Sequence, residues 1–159
     1  SDLALGALRY AASCGAYTIG ITASPASPLT VVADLALCAV TGPEVITGST
    51  RMKAGSAQKM ILNILSTGVM IRLGKVYGNL MVDVKATNEK LRERAKHIVV
   101  DATGCTVKEA ETALNEASGK AKTAIVMLLL HVTAEQARAR LERADGYIRR
   151  TLDGGNHDL

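Results

Sequence analysis

The sequence predicts an α/β fold in which a partial parallel sheet flanked by helices is followed by a small all-α C-terminal helical bundle. Apolar runs of strand length alternate with helical patterns over the first part of the chain. Only two strands are well defined, where a complete sheet ordinarily has five or more. Beyond residue 103, capping boxes open short helices. We therefore expect two domains, residues 1–103 and residues 104–159, the second a three-helix bundle with a frayed tail.

The first 40 residues predict a helix, a strand, a loop and a second strand. The segment Asp2–Ser13 places leucine and alanine on one face and is followed by Gly15, a typical C-cap residue. Residues 17–22 (YTIGIT) and 33–40 (ADLALCAV) are apolar runs of strand length, and residues 24–28 (SPASP) predict a loop between them. Ligands in parallel sheets bind beyond the carboxyl ends of the strands, so we expect a site where the loops leave those ends.

Residues 42–59 read GPEVITGSTRMKAGSAQK and open the longest predicted helix, residues 49–73. The hydroxyl cluster at residues 47–50 is suited to an N-cap. An apolar stripe with helical spacing follows, formed by Met52, Ala57, Met60, Ile61, Ile64, Leu65, Gly68 and Ile71. Arg51 and Lys53 would lie in the first turn, where cations oppose the helix dipole, and such departures often mark function. Free N–H groups, hydroxyls and two cations predict an anion site.

This segment supplies the candidate substrate-binding residues Glu44, Ser49, Thr50, Arg51 and Lys53. Glu44 follows a Gly-Pro turn at a strand end, where its carboxylate either faces a ligand or satisfies backbone N–H groups of the loop. Ser49 and Thr50 either contact the ligand or only cap the helix. Arg51 and Lys53 either contact the ligand, remain solvated or pair with acids across a dimer interface. Lys59, further along the helix, is expected to be structural.

The second half of the chain predicts one more extended segment and a series of helices. Residues 80–84 (LMVDV) form a third apolar run, a strand or an extended pairing segment, and residues 75–79 connect it to the long helix. Residues 87–89 (TNE) cap a helix ending near residue 103. The capping boxes at residues 106–109 (TVKE) and 133–136 (TAEQ) start two further helices. Helical patterns also cover residues 120–130 and 145–152.

The composition excludes several classes of function. Hydrophobic residues at 48% and charged residues at 21% indicate a globular chain. Four tyrosines are the only aromatic residues, and the net charge of +4 is spread along the chain, which favours an anionic metabolite over nucleic acid. Three cysteines and three histidines show no metal-ligand spacing, so we expect neither a metal site nor a disulfide framework, and no cofactor. The longest apolar run is far too short to span a membrane and no secretory signal opens the chain, so a cytoplasmic location is expected.

The segment at residues 42–59 resembles the signature shared by N-acetylmuramic acid 6-phosphate etherases and glucokinase regulatory proteins. The matching residues are Gly42, Pro43, Glu44, Gly48, Ser49, Arg51, Lys53 and Lys59. Residues 63–91, which read NILSTGVMIRLGKVYGNLMVDVKATNEKL, resemble the etherases specifically. The resemblance covers nearly all of this chain but only the C-terminal half of an etherase. It implies a sugar isomerase (SIS) type sheet with a UBA-like bundle, a phosphorylated amino sugar as ligand, and a homodimer.

The resemblance also implies a reaction. Etherases cleave the D-lactyl ether of N-acetylmuramic acid 6-phosphate to N-acetylglucosamine 6-phosphate and D-lactate in cell-wall sugar recycling. Their two catalytic glutamates would precede residue 1, so we expect this chain alone to be inactive, with Glu44 the one catalytic candidate within it. Two alternatives remain open: a non-catalytic phosphosugar-binding or regulatory module like glucokinase regulatory protein, and a helical interaction module formed by residues 104–152.

Overall fold

The protein, represented by a computed structural model, is described over residues 2–84 and 88–154. Its internal contacts divide the chain into two compact units, Ser1–Ser66 and Thr67–Leu159. Residues 155–159 of the expected tail (154–159) and the expected cap residue Thr87 lie outside the described residues. The predicted domain division after residue 103 stays a prediction.

The first unit contains a two-stranded parallel sheet with helices. Its elements are α1 (Asp2–Ser13), β1 (Ile19–Thr22), α2 (Leu29–Val32), β2 (Leu35–Cys38) and the first part of α3 (Ala54–Arg72). β1 and β2 pair in parallel from Ile19↔Leu35 to Thr22↔Cys38. The coarse prediction of an α/β fold is therefore confirmed, and both predicted strands exist, although each is shorter than its apolar run.

A short helix that was not predicted connects the two strands. α2 is only four residues long, too short to show a helical period, and it packs closely on β1. A Cβ added at Gly20 would lie 3.0 Å from the Ala33 Cβ and 3.2 Å from the Leu29 carbonyl oxygen, so any larger residue here would require these neighbours to move. At the amino ends of the strands, the Asp34 carboxylate accepts hydrogen bonds of 2.7 Å from both the backbone N–H and the hydroxyl of Thr18. The two strands are thereby fixed in register.

The start of α3 differs from the prediction. The helix begins at Ala54 instead of Ser49, so Arg51 and Lys53 precede it and do not lie in its first turn. The Glu44 carboxylate accepts hydrogen bonds of 3.1 Å from the backbone N–H groups of Lys53 and Ala54. A carboxylate satisfies two free N–H groups and complements the helix dipole, which explains why the cap lies here and not at the hydroxyl cluster.

The predicted apolar stripe of α3 is not buried, and part of it is exposed. None of the 19 residues of this helix is buried, and the side chains of Met60 and Ile64 are each 65% exposed. An apolar face of this size on a long helix is typical of a surface that packs against another protein element.

The second unit is a helical bundle preceded by a hairpin. β3 (Val76–Tyr77) and β4 (Leu80–Met81) pair antiparallel around a turn at Gly78 and Asn79, so residues 75–79 are not merely a connection. The predicted strand at residues 80–84 ends at Met81, although the Val82 N–H still donates to the Lys75 carbonyl at 3.2 Å, and Val82 and Val84 are buried in the core of the unit.

Among its described residues this unit continues with the helices α4 (Glu89–Thr103), α5 (Val107–Glu116), α6 (Ala121–Leu130), α7 (Ala134–Arg143) and α8 (Ile148–Leu152). Both predicted capping boxes are confirmed, Thr106 with Glu109 and Thr133 with Gln136. α4 is capped by Asn88, whose side chain accepts from the Leu91 N–H. Ala95, Ile98 and Val99 of α4 are buried in the same core as the apolar residues of α5 to α8. No helix in the described ranges is both long and apolar enough to cross a membrane.

Candidate functional site

A cavity of about 790 Å³ lies in the first unit where the chain leaves the carboxyl ends of β1 and β2. This is the edge of the sheet at which we expected a ligand. The loop after β1 and the loop after β2 both line it, together with the first turn of α3. Six hydroxyl side chains contribute to its wall: Thr22, Ser24, Ser27, Thr41, Ser49 and Thr50.

The structure brings four of the five predicted site residues to this cavity: Glu44, Ser49, Thr50 and Arg51. Ser49 lies in a turn closed by its backbone N–H on the Ile46 carbonyl at 3.0 Å. The Thr50 carbonyl accepts from the Gly55 N–H at 2.8 Å, which ties the loop to the helix. The Arg51 side chain is exposed, and within the described chain no carboxylate lies within 4 Å of its guanidinium. A guanidinium of this kind can bind a phosphate or carboxylate with two parallel hydrogen bonds.

The Glu44 carboxylate lines the cavity while it caps α3. One oxygen accepts from the Lys53 N–H and the other from the Ala54 N–H, so both take part in the cap. This matches the structural alternative for Glu44, in which the carboxylate satisfies backbone N–H groups. Because Glu44 is bonded to Lys53 and Ala54, it also holds the intervening residues 45–52 against the cavity.

Lys53 is the predicted site residue that does not line the cavity. Its ammonium donates a 2.8 Å hydrogen bond to the Pro43 carbonyl and so holds the Gly42–Pro43 turn. Lys59 is exposed on α3 and also lies outside the lining.

Several lining residues were not singled out from the sequence. Ser24 and Ser27 belong to the loop after β1, which was expected at the ligand-binding ends of the strands, although neither residue was chosen as a site residue. Gln58 projects from the first turns of α3, and its side-chain amide lies 3.5 Å from the Ile21 carbonyl oxygen at the end of β1. No local pattern marks Gln58, because its position depends on how α3 packs beside the strand.

The arrangement favours binding over acid–base chemistry. General acid–base catalysis of an elimination needs two groups that can exchange protons. Among the described lining residues Glu44 is the only carboxylate, and both of its oxygens already accept hydrogen bonds. Asp34 lies at the opposite edge of the sheet, where the hydroxyl and backbone N–H of Thr18 lower its pKa, as in a structural carboxylate. No group of three or more His, Cys, Asp or Glu side chains within residues 2–84 and 88–154 is arranged to hold a metal ion.

Sequence comparison relates the chain to known proteins. Residues 78–123 match the family described as the C-terminal lid domain of glucokinase regulatory protein. Three similar curated proteins are each named N-acetylmuramic acid 6-phosphate etherase. The protein of Photorhabdus laumondii is 56% identical over 93% of this chain and 49% of its own length. The protein of Aeromonas hydrophila is 58% identical over 91% of this chain and 48% of its own length. The protein of Erwinia tasmaniensis is 52% identical over 95% of this chain and 49% of its own length. The chain thus spans about half the length of these relatives.

Proposed function

We propose that this chain, a homologue of N-acetylmuramic acid 6-phosphate etherases over about half of their length, forms one part of such a lyase. The proposed reaction cleaves the D-lactyl ether of N-acetylmuramic acid 6-phosphate and yields N-acetylglucosamine 6-phosphate and D-lactate. The observation that carries the proposal is the identity of 52 to 58% with three etherases over more than nine-tenths of this chain. We place the reaction in the recycling of cell-wall sugar in the cytoplasm.

We infer that the cavity at the strand ends is one wall of the phosphosugar site in a sheet of the SIS type. Its hydroxyl groups can exchange hydrogen bonds with sugar hydroxyls and phosphate oxygens. Arg51 supplies the positive charge for the phosphate or the lactyl carboxylate. Glu44 acts as a positioning residue, because its two hydrogen bonds hold residues 45–52 in place.

The catalytic carboxyl groups are proposed to come from outside this chain. Loss of the ether oxygen by β-elimination requires a base that removes a proton from the carbon next to the ether-bearing carbon. It also requires an acid that protonates the departing oxygen, and water must then add to the resulting double bond to give N-acetylglucosamine 6-phosphate. Glu44 offers a single carboxylate that is already part of a helix cap. We therefore propose that the chain alone binds the phosphosugar without turning it over.

We further propose that the protein functions as a homo-oligomer, most simply a dimer. The exposed apolar face of α3 supports this proposal, since Met60, Ile64 and Ile71 are each more than half exposed.

A non-catalytic phosphosugar-binding or regulatory role is the second candidate. It is supported by the match of residues 78–123 to the lid domain of glucokinase regulatory protein. The two candidates differ in one observable, the release of D-lactate.

The test combines a turnover assay with a binding assay. D-lactate release from N-acetylmuramic acid 6-phosphate is measured for the chain and for its Glu44→Gln variant, and binding of N-acetylglucosamine 6-phosphate is followed by NMR. We expect no release, and resonance shifts that an Arg51→Ala variant weakens and a Lys59→Ala variant leaves unchanged.

Turnover by the isolated chain would refute the assignment of the catalytic carboxyls to another segment. Absence of both turnover and binding in a folded chain would refute the phosphosugar site. If a full-length relative carrying the same residues bound the sugar without releasing D-lactate, the regulatory role would replace the enzymatic one.

A further inference from the structure

A second cavity, of about 330 Å³, lies in the second unit, where α7 meets the end of α8. Its described wall consists of Arg140, Arg143, Thr151 and Gly154. None of these four residues lines the candidate site in the first unit. The volume lies at the lower end of the range found for small-molecule sites. The cavity therefore has the size of a site for a small ion or metabolite.

Two guanidinium groups line this cavity from α7. Arg140 and Arg143 are three residues apart, a spacing that places side chains next to each other on a helix. Both residues are exposed, and within the described chain no carboxylate lies within 4 Å of either guanidinium. The Arg143 Nε donates to the Ala139 carbonyl at 3.4 Å, so its terminal N–H groups remain available to a ligand. The pair thus places two adjacent positive charges without an acidic partner at the cavity.

The arginine of α8 closest to this wall in sequence is already engaged. Arg150 pairs with Asp145 at 3.6 Å, and its guanidinium lies 4.1 Å from the centroid of the Tyr147 ring. A guanidinium held by both a carboxylate and an aromatic face has little capacity left for a further anion. Arg140 and Arg143 therefore differ from it in being free to bind one.

The opposite wall adds hydrogen-bonding groups. Thr151 is only 5% exposed, and its hydroxyl donates to the Tyr147 carbonyl at 2.8 Å. This bond fixes the hydroxyl and leaves its oxygen able to accept a hydrogen bond from a ligand. The Gly154 N–H makes no hydrogen bond within residues 2–84 and 88–154, so it can act as a donor. The wall therefore combines several donors with one acceptor.

We propose that this cavity binds a phosphate group, carried either by inorganic phosphate or by a small phosphate ester. A guanidinium can donate two parallel hydrogen bonds to a phosphate, and two adjacent guanidiniums match its double negative charge. The acceptor at Thr151 matches a hydroxyl group, either of hydrogen phosphate or of the organic part of an ester. Glu142 and Asp153 adjoin the lining residues in sequence and interrupt the positive charge, so a compact anion suits this surface better than a nucleic acid strand.

The test is a titration of the folded chain with sodium phosphate at constant ionic strength, followed by NMR. We expect saturating shifts at the Nε–H groups of Arg140 and Arg143 and at the backbone amides of Thr151 and Gly154. Phosphate can also bind at the candidate site, so the titration is repeated with an Arg51→Ala variant. The shifts in the second unit should persist in that variant, which separates this proposal from the one for the phosphosugar site.

Substitutions in α7 test the two arginines. Arg140→Ala and Arg143→Ala should each weaken phosphate binding at this cavity by about tenfold, because each removes a charge-assisted pair of hydrogen bonds. Arg143→Lys keeps the charge but loses the planar fork, so its affinity should be intermediate. The matched control is Arg138→Ala, which removes an exposed arginine of the same helix whose Nε donates to the Ala134 carbonyl at 3.1 Å. Binding should be unchanged in this control, and circular dichroism establishes that all variants are folded.

Three results would overturn the proposal. These are the absence of saturating shifts at the lining residues, the same shifts on addition of sodium chloride, and an effect of Arg138→Ala as large as that of the lining arginines. A parallel titration with glycerol 3-phosphate distinguishes the two sources of the phosphate group. Tighter binding of the ester assigns the cavity to a phosphate ester, and tighter binding of inorganic phosphate assigns it to the free ion; either result supports the site.

Discussion

Replacing Glu44 should release the start of α3, and the size of the effect follows from two hydrogen bonds. The carboxylate accepts from the backbone N–H groups of Lys53 and Ala54, both at 3.1 Å. Removal of an N-cap side chain ordinarily costs about 0.5–2 kcal/mol, and the loss of a carboxylate at a helix start adds about 0.3–1 kcal/mol. Glu44 is half-buried, so water can replace part of the hydrogen bonding that the Lys53 and Ala54 N–H groups lose. We expect Glu44→Ala to weaken the cap by about 1–3 kcal/mol.

The effect should be local and graded. Glu44→Gln keeps one acceptor oxygen and loses the charge, so it should weaken the cap by about half as much. Hydrogen exchange of the Lys53 and Ala54 amides measures the cap directly, because each amide exchanges when its bond opens. A change of about 1–3 kcal/mol corresponds to exchange faster by about 5- to 150-fold. The matched control is Glu116→Ala, which removes one exposed negative charge at the end of α5.

Two results would contradict this reasoning. If the Lys53 and Ala54 amides exchanged equally fast in Glu44→Ala and in the unsubstituted chain, the carboxylate would not be the cap. If Glu116→Ala accelerated the same amides, the effect would be one of net charge and not of hydrogen bonding.

Three further predictions concern the second unit. Ile125→Ala should lower the free energy of unfolding by about 2–5 kcal/mol in urea titrations, because this side chain is fully buried. His131→Gly should raise the free energy of unfolding by about 0.5–1 kcal/mol, because His131 ends α6 with a φ of 51°, which glycine adopts without strain. Gly104→Ala at the end of α4, where φ is 72°, should lower the free energy of unfolding for the same reason. A lower free energy of unfolding in His131→Gly would disprove the argument from backbone conformation. The Thr106 backbone N–H and hydroxyl lower the pKa of Glu109. The contribution of Glu109 to stability is therefore present above the ordinary glutamate pKa and is lost as the pH falls through the lowered pKa. In unfolding experiments at a series of pH values, the free energy of unfolding of Glu109→Gln should fall less steeply toward acid pH than that of the unsubstituted chain.

The parts of the fold predicted correctly from sequence are those with local causes. Both capping boxes were found because Thr106 and Thr133 contact residues only three positions away. The two parallel strands were found because their apolar runs differ from the flanking helices in length and composition. The predicted start of α3 was wrong because the residue that caps the helix, Glu44, lies ten residues before Ala54 and reaches it only through the folded loop.

The candidate site was predicted in part for the same reason. Four predicted residues lie in one segment, so their position in sequence already grouped them. Ser27 lies after β1 and Gln58 lies further along α3, and only packing brings them to the cavity. Lys53 was expected beside them, but its side chain turns to the Pro43 carbonyl. The similarity to etherases was suggested by the resemblance of residues 42–91 and not by the physical pattern.

The order of helices in the second unit has a consequence for how the chain folds. α4, α5, α6 and α7 each pack on the next helix along the sequence, so most of the contacts that hold them together span short loops. Chains dominated by local contacts fold in microseconds to milliseconds, because little loop entropy is lost before contacts form. The parallel pair of β1 and β2 instead requires the whole crossover through α2 to close first. We therefore expect two kinetic phases on refolding, a fast one from the helices and a slower one from the sheet.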